Sequence, residues 1–338
     1  MNKIFCFGEL LLRLSPALQQ EWIKSQTMPV FVGGAELNVA NALSAWGVSS
    51  SYCTALPDNY LSAEMVASIE QNNINTSAIY FTGERIGMYI LPMGADLKNA
   101  GVIYDRNHSS FASLQPGQIN WDKLLDGHDW FHFSAISPAL NENVVAVCKE
   151  ALEAATKKGL TISVDLNYRA KLWQYGKKPV EVMPDLVKYC HVIMGNIWSA
   201  RDLLGTTLPE DINSVFDQDA LSAQAKTTSM DLMAAYPNCK VVANTFRFSE
   251  NDAVRYYATL TTPTSHTISN EHYTETVVDK VGSGDCFMAG LIYGLSQQTV
   301  GNWSNDNIIN FAASAAFGKL QEKGDSTKQS LAFIQSRY

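Results

Sequence analysis

The sequence predicts an α/β protein with a mostly parallel central sheet and a small β-rich lid inserted into it. Three observations support this. Short apolar runs alternate with helix-period segments, as in parallel βαβ units. Two β-like stretches containing prolines interrupt that series. The composition, 46% hydrophobic and 17% charged over 338 residues, supplies a sizeable core and argues against disorder. Dividing the length by about 150 gives roughly two domains, but the interruptions lie inside the series. The chain is therefore read as one unit over residues 1–338, with a lid from about 10–32 and 85–106.

Residues 3–8, 52–55, 130–134, 161–165, 191–195 and 240–245 are apolar runs of strand length. Between them, residues 37–46, 63–71, 141–158, 180–189 and 221–235 place apolar side chains at helical spacing. Several of the strands end at a polar residue, so the carboxyl ends of the sheet are expected to hold the site. Residues 10–32 and 85–105 alternate apolar with polar positions and contain Pro16, Pro29 and Pro92. That pattern suits strands with one wet face, hence a lid. Residues 206–229 form the most polar stretch and are expected to be a surface excursion.

Composition also excludes function classes. The 25 Lys+Arg against 33 Asp+Glu give a net charge of −8 with no run of five basic residues, so neither nucleic acid nor an anionic membrane is an expected partner. The most apolar stretch, residues 286–295, is about half of the roughly 20 residues a spanning helix needs. The N-terminus reads as a first strand with no small-residue cleavage pattern, which makes a cytoplasmic location the expectation. The six cysteines form no C-x-x-C pair and the six histidines no H-E-x-x-H, so both sets read as packed side chains.

The informative chemistry lies in V-V-D-K-V-G-S-G-D-C-F-M-A-G-L-I-Y-G-L, residues 277–295. A short apolar run, a glycine turn at Gly282, Ser283 and Gly284, and a helical pattern follow one another. That order gathers free backbone N–H groups and a positive helix end at one spot, an anion site. Asp285 stands at the same helix start. Phe287 stands where the dinucleotide fingerprint needs glycine, and G-x-x-x-x-G-K-[ST] occurs nowhere. Taken alone, the turn could be no more than a tight strand-to-helix connection. A second segment weakens that reading: G-G-A-E-L-N-V-A-N-A-L-S-A-W-G, residues 33–47, opens a helix on Gly33 and Gly34 and feeds Glu36, Asn38 and Asn41 into a cleft.

Together the two segments resemble the paired signatures of the ribokinase-like (PfkB) sugar kinases. G-G-A-x-x-N-x-A matches at 33–40, and D-x-x-G-x-G-D-x-F-x-x-G matches from Asp279 at its fixed positions. The resemblance runs through the chain in order and spacing. It implies a three-layer sandwich with an inserted lid and ATP-dependent phosphorylation of a sugar hydroxyl. It makes Asp285 the general base and the N–H groups of Gly282, Ser283 and Gly284 the anion hole. It also implies Mg2+ with the ATP, a monovalent-cation loop near Asp279, Gly33, Gly34 and Asn38 on the sugar side, and Asn196, Thr245, Arg247 and the glycine turn on the nucleotide side. A homodimer pairing through the lid is expected as well.

Specificity is read from D-L-N-Y-R-A-K-L-W, residues 165–173, which presents Asn167 and Arg169 at a strand end. An arginine fork suits a carboxylate, which a neutral sugar lacks. On the lid, Tyr89, Tyr104 and Arg106 would close over the same pocket. Two cations with two phenols point to a small acidic sugar, and the set resembles the 2-keto-3-deoxygluconate kinases of the family. The alternatives are a fructokinase or other neutral-sugar kinase, and a non-catalytic sugar- or nucleotide-binding protein. Arg106 and Arg169 could instead serve in ion pairs with Asp96 or Asp105. Three departures bear on the nucleotide end: Lys280 where threonine is common, Ser199 where the family often has glutamate, and residues 242–248 in place of a glycine-containing turn. Residues 311–316 are a run of small side chains that suits either an adenine or helix packing.

Overall fold

The four apolar residues of β1 (Ile4–Phe7) are all buried and divide between two layers. Ile4 and Cys6 pack into one hydrophobic cluster, Phe5 and Phe7 into the other, as the two-residue repeat of a strand requires. The computed structural model describes residues 2–17, 22–93, 101–250 and 253–338.

In chain order β1 is followed by β2 (Leu11–Leu14), α1 (Trp22–Ser25), β3 (Val30–Gly33), α2 (Ala35–Ala45), β4 (Ser50–Leu56), α3 (Tyr60–Gln71), β5 (Ile74–Phe81), β6 (Gly87–Ile90) and β7 (Ile103–Asp105). Then come α4 (Trp121–Leu124), β8 (Trp130–Ser134), α5 (Glu142–Lys157), β9 (Thr161–Asp165), α6 (Pro179–Val187), β10 (Val192–Gly195), α7 (Ile197–Leu204) and α8 (Gln218–Ala235). The C-terminal part holds β11 (Val241–Glu250), β12 (Ala253–Thr261), β13 (His266–Ile268), β14 (His272–Thr274), α9 (Ser283–Val300), α10 (Asn305–Lys319) and α11 (Leu331–Gln335).

The large sheet runs β5-β4-β1-β8-β9-β10-β11 with every pairing parallel, then turns antiparallel through β12 to β13 and β14. Helices α2, α9 and α10 cover one face, and α5 and α6 the other. This is the ribokinase-like three-layer arrangement. The two interrupting stretches form a separate four-stranded sheet, β3-β2-β6-β7, in which the central pair β2 and β6 is parallel. Val30 and Ile103 on it are exposed. Part of residues 10–32 is helical, at α1.

Several elements differ from the expectation. Strands β5, β12, β13 and β14 lie outside the expected set: β5 is a half-exposed edge strand, and β11 runs on past the expected 240–245 into a hairpin with β12. Half of the polar stretch 206–229 lies in α8, whose buried face includes Thr228 and Ser229. Ser229 tolerates burial because its hydroxyl donates to the Ala225 carbonyl at 2.6 Å. The small residues of α10 pack against α9: a Cβ on Gly290 would lie 2.7 Å from Ala312 Cα. The cysteines are buried and free, and among the described residues no helix is long and apolar enough to cross a membrane.

Candidate active site

A cavity of about 660 Å³ opens where the carboxyl ends of β9, β10 and β11 face the start of α9, with the small sheet on its other side. It is lined by Gly34, Asn38, Tyr89, Tyr104, Arg106, Asn167, Arg169, Asn196, Thr245, Arg247, Gly282, Ser283, Gly284 and Asp285. Of the residues singled out in the sequence, Gly33, Glu36, Asn41 and Asp279 do not line it: Glu36 is buried, accepting from the Ser134 N–H at 2.9 Å and hydroxyl at 2.6 Å, and the Asn41 amide donates to the Ser326 hydroxyl at 3.0 Å. A side chain on Gly33 would run into the Asp325 carboxylate.

The glycine turn is built by a close approach. Gly282 has φ +78° and caps α9, and a Cβ there would stand 1.8 Å from the Asp325 carbonyl oxygen. Only glycine fits. On the opposite side, a Cβ on Gly284 would meet nothing within 4 Å. The first-turn N–H groups of α9, which have no intrahelical acceptor, therefore border open space. Gly34, at φ +143°, brings the start of α2 against the Glu9 carbonyl oxygen, and a Cβ would lie 2.4 Å from it.

Asp285 is in the first turn of α9. The Asn38 amide donates to its Oδ2 at 2.7 Å, and the Ser326 hydroxyl donates to Asn38 Oδ1 at 3.1 Å, which fixes the orientation of the amide. Burial pushes the Asp285 carboxyl up to about 6, against the stabilising pull of Asn38 and of the Arg169 charge. A carboxylate so placed is a stronger proton acceptor than an ordinary aspartate and is still ionised at neutral pH.

The two arginines differ. Arg169 donates from Nη1 to the Tyr168 carbonyl at 2.8 Å, while its buried Nε has no hydrogen-bond partner. Arg106 is 2% exposed and is paired with Glu9, its Nε and Nη2 each 2.6 Å from Oε2, while its buried Nη1 has no hydrogen-bond partner. Its partner is thus Glu9, and Arg85 takes Asp105. Asp96 lies outside the described residues.

Of the residues expected on the nucleotide side, Asn196 caps α7, its Oδ1 accepting the Ser199 N–H at 2.8 Å. Thr245 donates to the Gly195 carbonyl at 3.2 Å, and Arg247 approaches the Ser283 hydroxyl at 3.5 Å. Asp202, one turn beyond Ser199, also lines the cavity. Among the described residues no three His, Cys, Asp or Glu side chains converge on a metal position.

Sequence reasoning missed Arg13, Asp325 and Glu9. Arg13 is 1% exposed and bridges Asp279 at 2.8 Å and Asp325 at 2.7 Å from beneath the turn. The one sequence signal is a charged residue inside the apolar L-L-R-L of β2. Asp279, expected near a cation loop, is buried as Arg13's partner.

Comparison with known proteins agrees with this geometry. The model of the pfkB family carbohydrate kinases matches residues 1–331. The crystal structure of 2-dehydro-3-deoxygluconokinase from Thermotoga maritima superposes with a TM-score of 0.87 at 31% identity, covering 99% of this chain and 97% of that one. A 2-dehydro-3-deoxygalactonokinase of Haloferax volcanii is 32% identical over 171 residues; that match covers 51% of this chain and only 54% of the relative. Fructokinase-2 of Solanum lycopersicum is 26% identical over 293 residues, 86% of this chain and 80% of that protein. With its signatures on one cavity wall and the family match running nearly end to end, the chain belongs to the pfkB family of carbohydrate kinases.

Proposed function

We propose that the protein transfers the γ-phosphoryl group of ATP to a hydroxyl of an acidic keto-deoxy sugar, 2-keto-3-deoxygluconate first among them, giving the 6-phosphate and ADP. The observation that supports this most is Arg169. Its guanidinium keeps a buried, unpartnered Nε and shares a cavity with Asp285. A neutral sugar offers such a fork only uncharged hydroxyl acceptors, whereas a carboxylate fills it with two parallel, charge-assisted bonds. Tyr89, Tyr104 and Asn167 complete the sugar side, and Arg106, held by Glu9, acts as a fixed part of the wall.

In this reading Asp285 takes the proton of the attacking hydroxyl as its oxygen bonds to the γ-phosphorus and the bond to the ADP oxygen breaks. The N–H groups of Gly282, Ser283 and Gly284 face the charge on the transferred oxygens, with Arg247 and Thr245 beside them. Magnesium would enter on the phosphates of the nucleotide and offset their charge.

The likeness to a fructokinase over most of the chain favours a neutral ketose as the second reading, and the Haloferax relative brings in the galactonate epimer. A coupled assay of ADP release with 2-keto-3-deoxygluconate, its galactonate epimer, fructose, ribose and gluconate separates them. Arg169→Ala should cost roughly 2–4 kcal/mol, about 30- to 1000-fold in kcat/KM, on the acidic sugar and far less on fructose. Equal proportional losses on both, or fructose as the better wild-type substrate, would leave a ketose kinase standing.

A further inference from the structure

The resemblance to ribokinase-like enzymes implies a monovalent cation beside Asp279, and the residues around that carboxylate do not fit one. Both of its oxygens are engaged. Oδ1 accepts the Val281 N–H at 3.0 Å, and Oδ2 accepts Arg13 Nη2 at 2.8 Å and the Gly324 N–H at 3.2 Å. Asp325 is filled likewise, Oδ1 by Arg13 Nε at 2.8 Å and Oδ2 by the Tyr89 hydroxyl at 3.3 Å.

A second cation stands on the same ground. Lys319, the last residue of α10, is 0% exposed, which is rare for lysine. Its ammonium donates to the Glu322 backbone carbonyl at 3.1 Å. The carbonyl of the next residue, Leu320, accepts the Val278 and Asp279 N–H groups at 2.8 and 3.3 Å, which sets the end of α10 beside Asp279; burial pushes the Lys319 pKa down, and Asp279 is first among the carboxylates that oppose this. Lys319 and Arg13 are the buried cations beside the buried Asp279 and Asp325, and the more exposed Glu322 accepts from the Thr327 hydroxyl and the Lys328 N–H. Each oxygen of Asp279 and Asp325 already has a donor, so an added ion would enter a low-dielectric site with no open carboxylate oxygen to meet it.

We propose that the Lys319 ammonium, backed by the Arg13 guanidinium, is a built-in replacement for a monovalent cation, so that this protein neither needs nor binds potassium beside Asp279. Lys319 is a positioning residue. It holds the segment 322–325, and the Asp325 carbonyl of that segment packs directly under Gly282, the residue that aims the N–H groups of the turn. An alkali ion can wash out; a covalently tethered cation cannot.

The test uses the full chain in potassium, sodium and tetramethylammonium chloride at equal ionic strength, reading thermal unfolding and turnover. Wild type should show no potassium-specific rise in Tm and no potassium-specific gain in turnover. A ligand that bound the native state would raise Tm by mass action, so a potassium-specific rise or activation in wild type overturns the proposal without reference to any sugar assignment. Lys319→Ser, which removes the charge and opens an oxygen-lined space, should lose about tenfold or more in kcat through the displaced turn and acquire a potassium-dependent Tm. Lys319→Met should lose activity without that response. A Lys319→Met protein with wild-type Tm and turnover would equally overturn the proposal, and if neither variant folds, the salt series on wild type still decides.

Discussion

The two sides of the glycine turn at residues 282–284 treat charge in opposite ways. On the cavity side Asp285 accepts one amide N–H, and Arg169 keeps an unpartnered Nε. On the packed side Asp279, Asp325 and Arg13 form a closed set in which each carboxylate oxygen has a donor. Three aspartates lie within one short stretch of space, and what separates them is the number of partners. Saturated carboxylates hold the turn in place, and the under-coordinated one retains the capacity to take a proton.

The comparison breaks most visibly at Asp285. Asp285→Asn should cut turnover by about 10²- to 10⁴-fold, the usual contribution of a general base, while sugar and ATP still bind. The same substitution should raise stability. The folded-state pKa of about 6 lies above the ordinary 3.8, so the charged carboxylate costs stability that grows as pH rises through that window. Calorimetry at pH 8 should show a higher Tm for the variant, with the difference closing at about pH 4 and below. A variant that keeps more than about a tenth of wild-type turnover would remove Asp285 from the role.

The packed side should respond in the opposite sense. Arg13→Met leaves two buried carboxylates without their shared cation and should lose about 3–5 kcal/mol in denaturant unfolding, the cost of breaking a buried pair. A loss below about 1 kcal/mol would mean that water reaches this cluster and that the two sides are alike. The smallest effect sharpens the contrast. With Asp285 required as its carboxylate, the acid limb of kcat/KM should fall near pH 6. Asn38→Ala removes the hydrogen bond that favours the charged form, so the limb should move to higher pH by less than about one unit. A limb that stays in place would show that Asn38 does not tune the base.

The glycine turn and the strands around β1 were legible because each depends on local order, apolar run, glycine and helix pattern, whereas Asn196, Thr245 and Arg247 were named only through the family resemblance. What escaped depends on distance. Arg13 meets Asp325 and Asp279 across separations of 312 and 266 residues, and no local pattern in L-L-R-L names either partner. For Arg106 the sequence offered a substrate contact or an ion pair with Asp96 or Asp105, because Glu9, its partner, lies 97 positions away just after β1. α8 was partly hidden because its buried face uses hydroxyl side chains, whose back-bonds to the helix replace the apolar signal. Strand β12 went unseen because it pairs antiparallel at the sheet's end, outside the alternation that marks parallel units.

The span from Arg13 to Asp325 also sets a timetable for biosynthesis. The arginine that anchors the packed side is made 266 residues before one of its carboxylates and 312 before the other. At about 5–20 residues per second, a ribosome needs roughly 15–60 s to join them. Until then β2 presents an unpaired guanidinium, and the small sheet has nothing to dock against on the glycine-turn side. A chain cut short before residue 325 would hold every strand of both sheets and still lack the clasp that aims the turn.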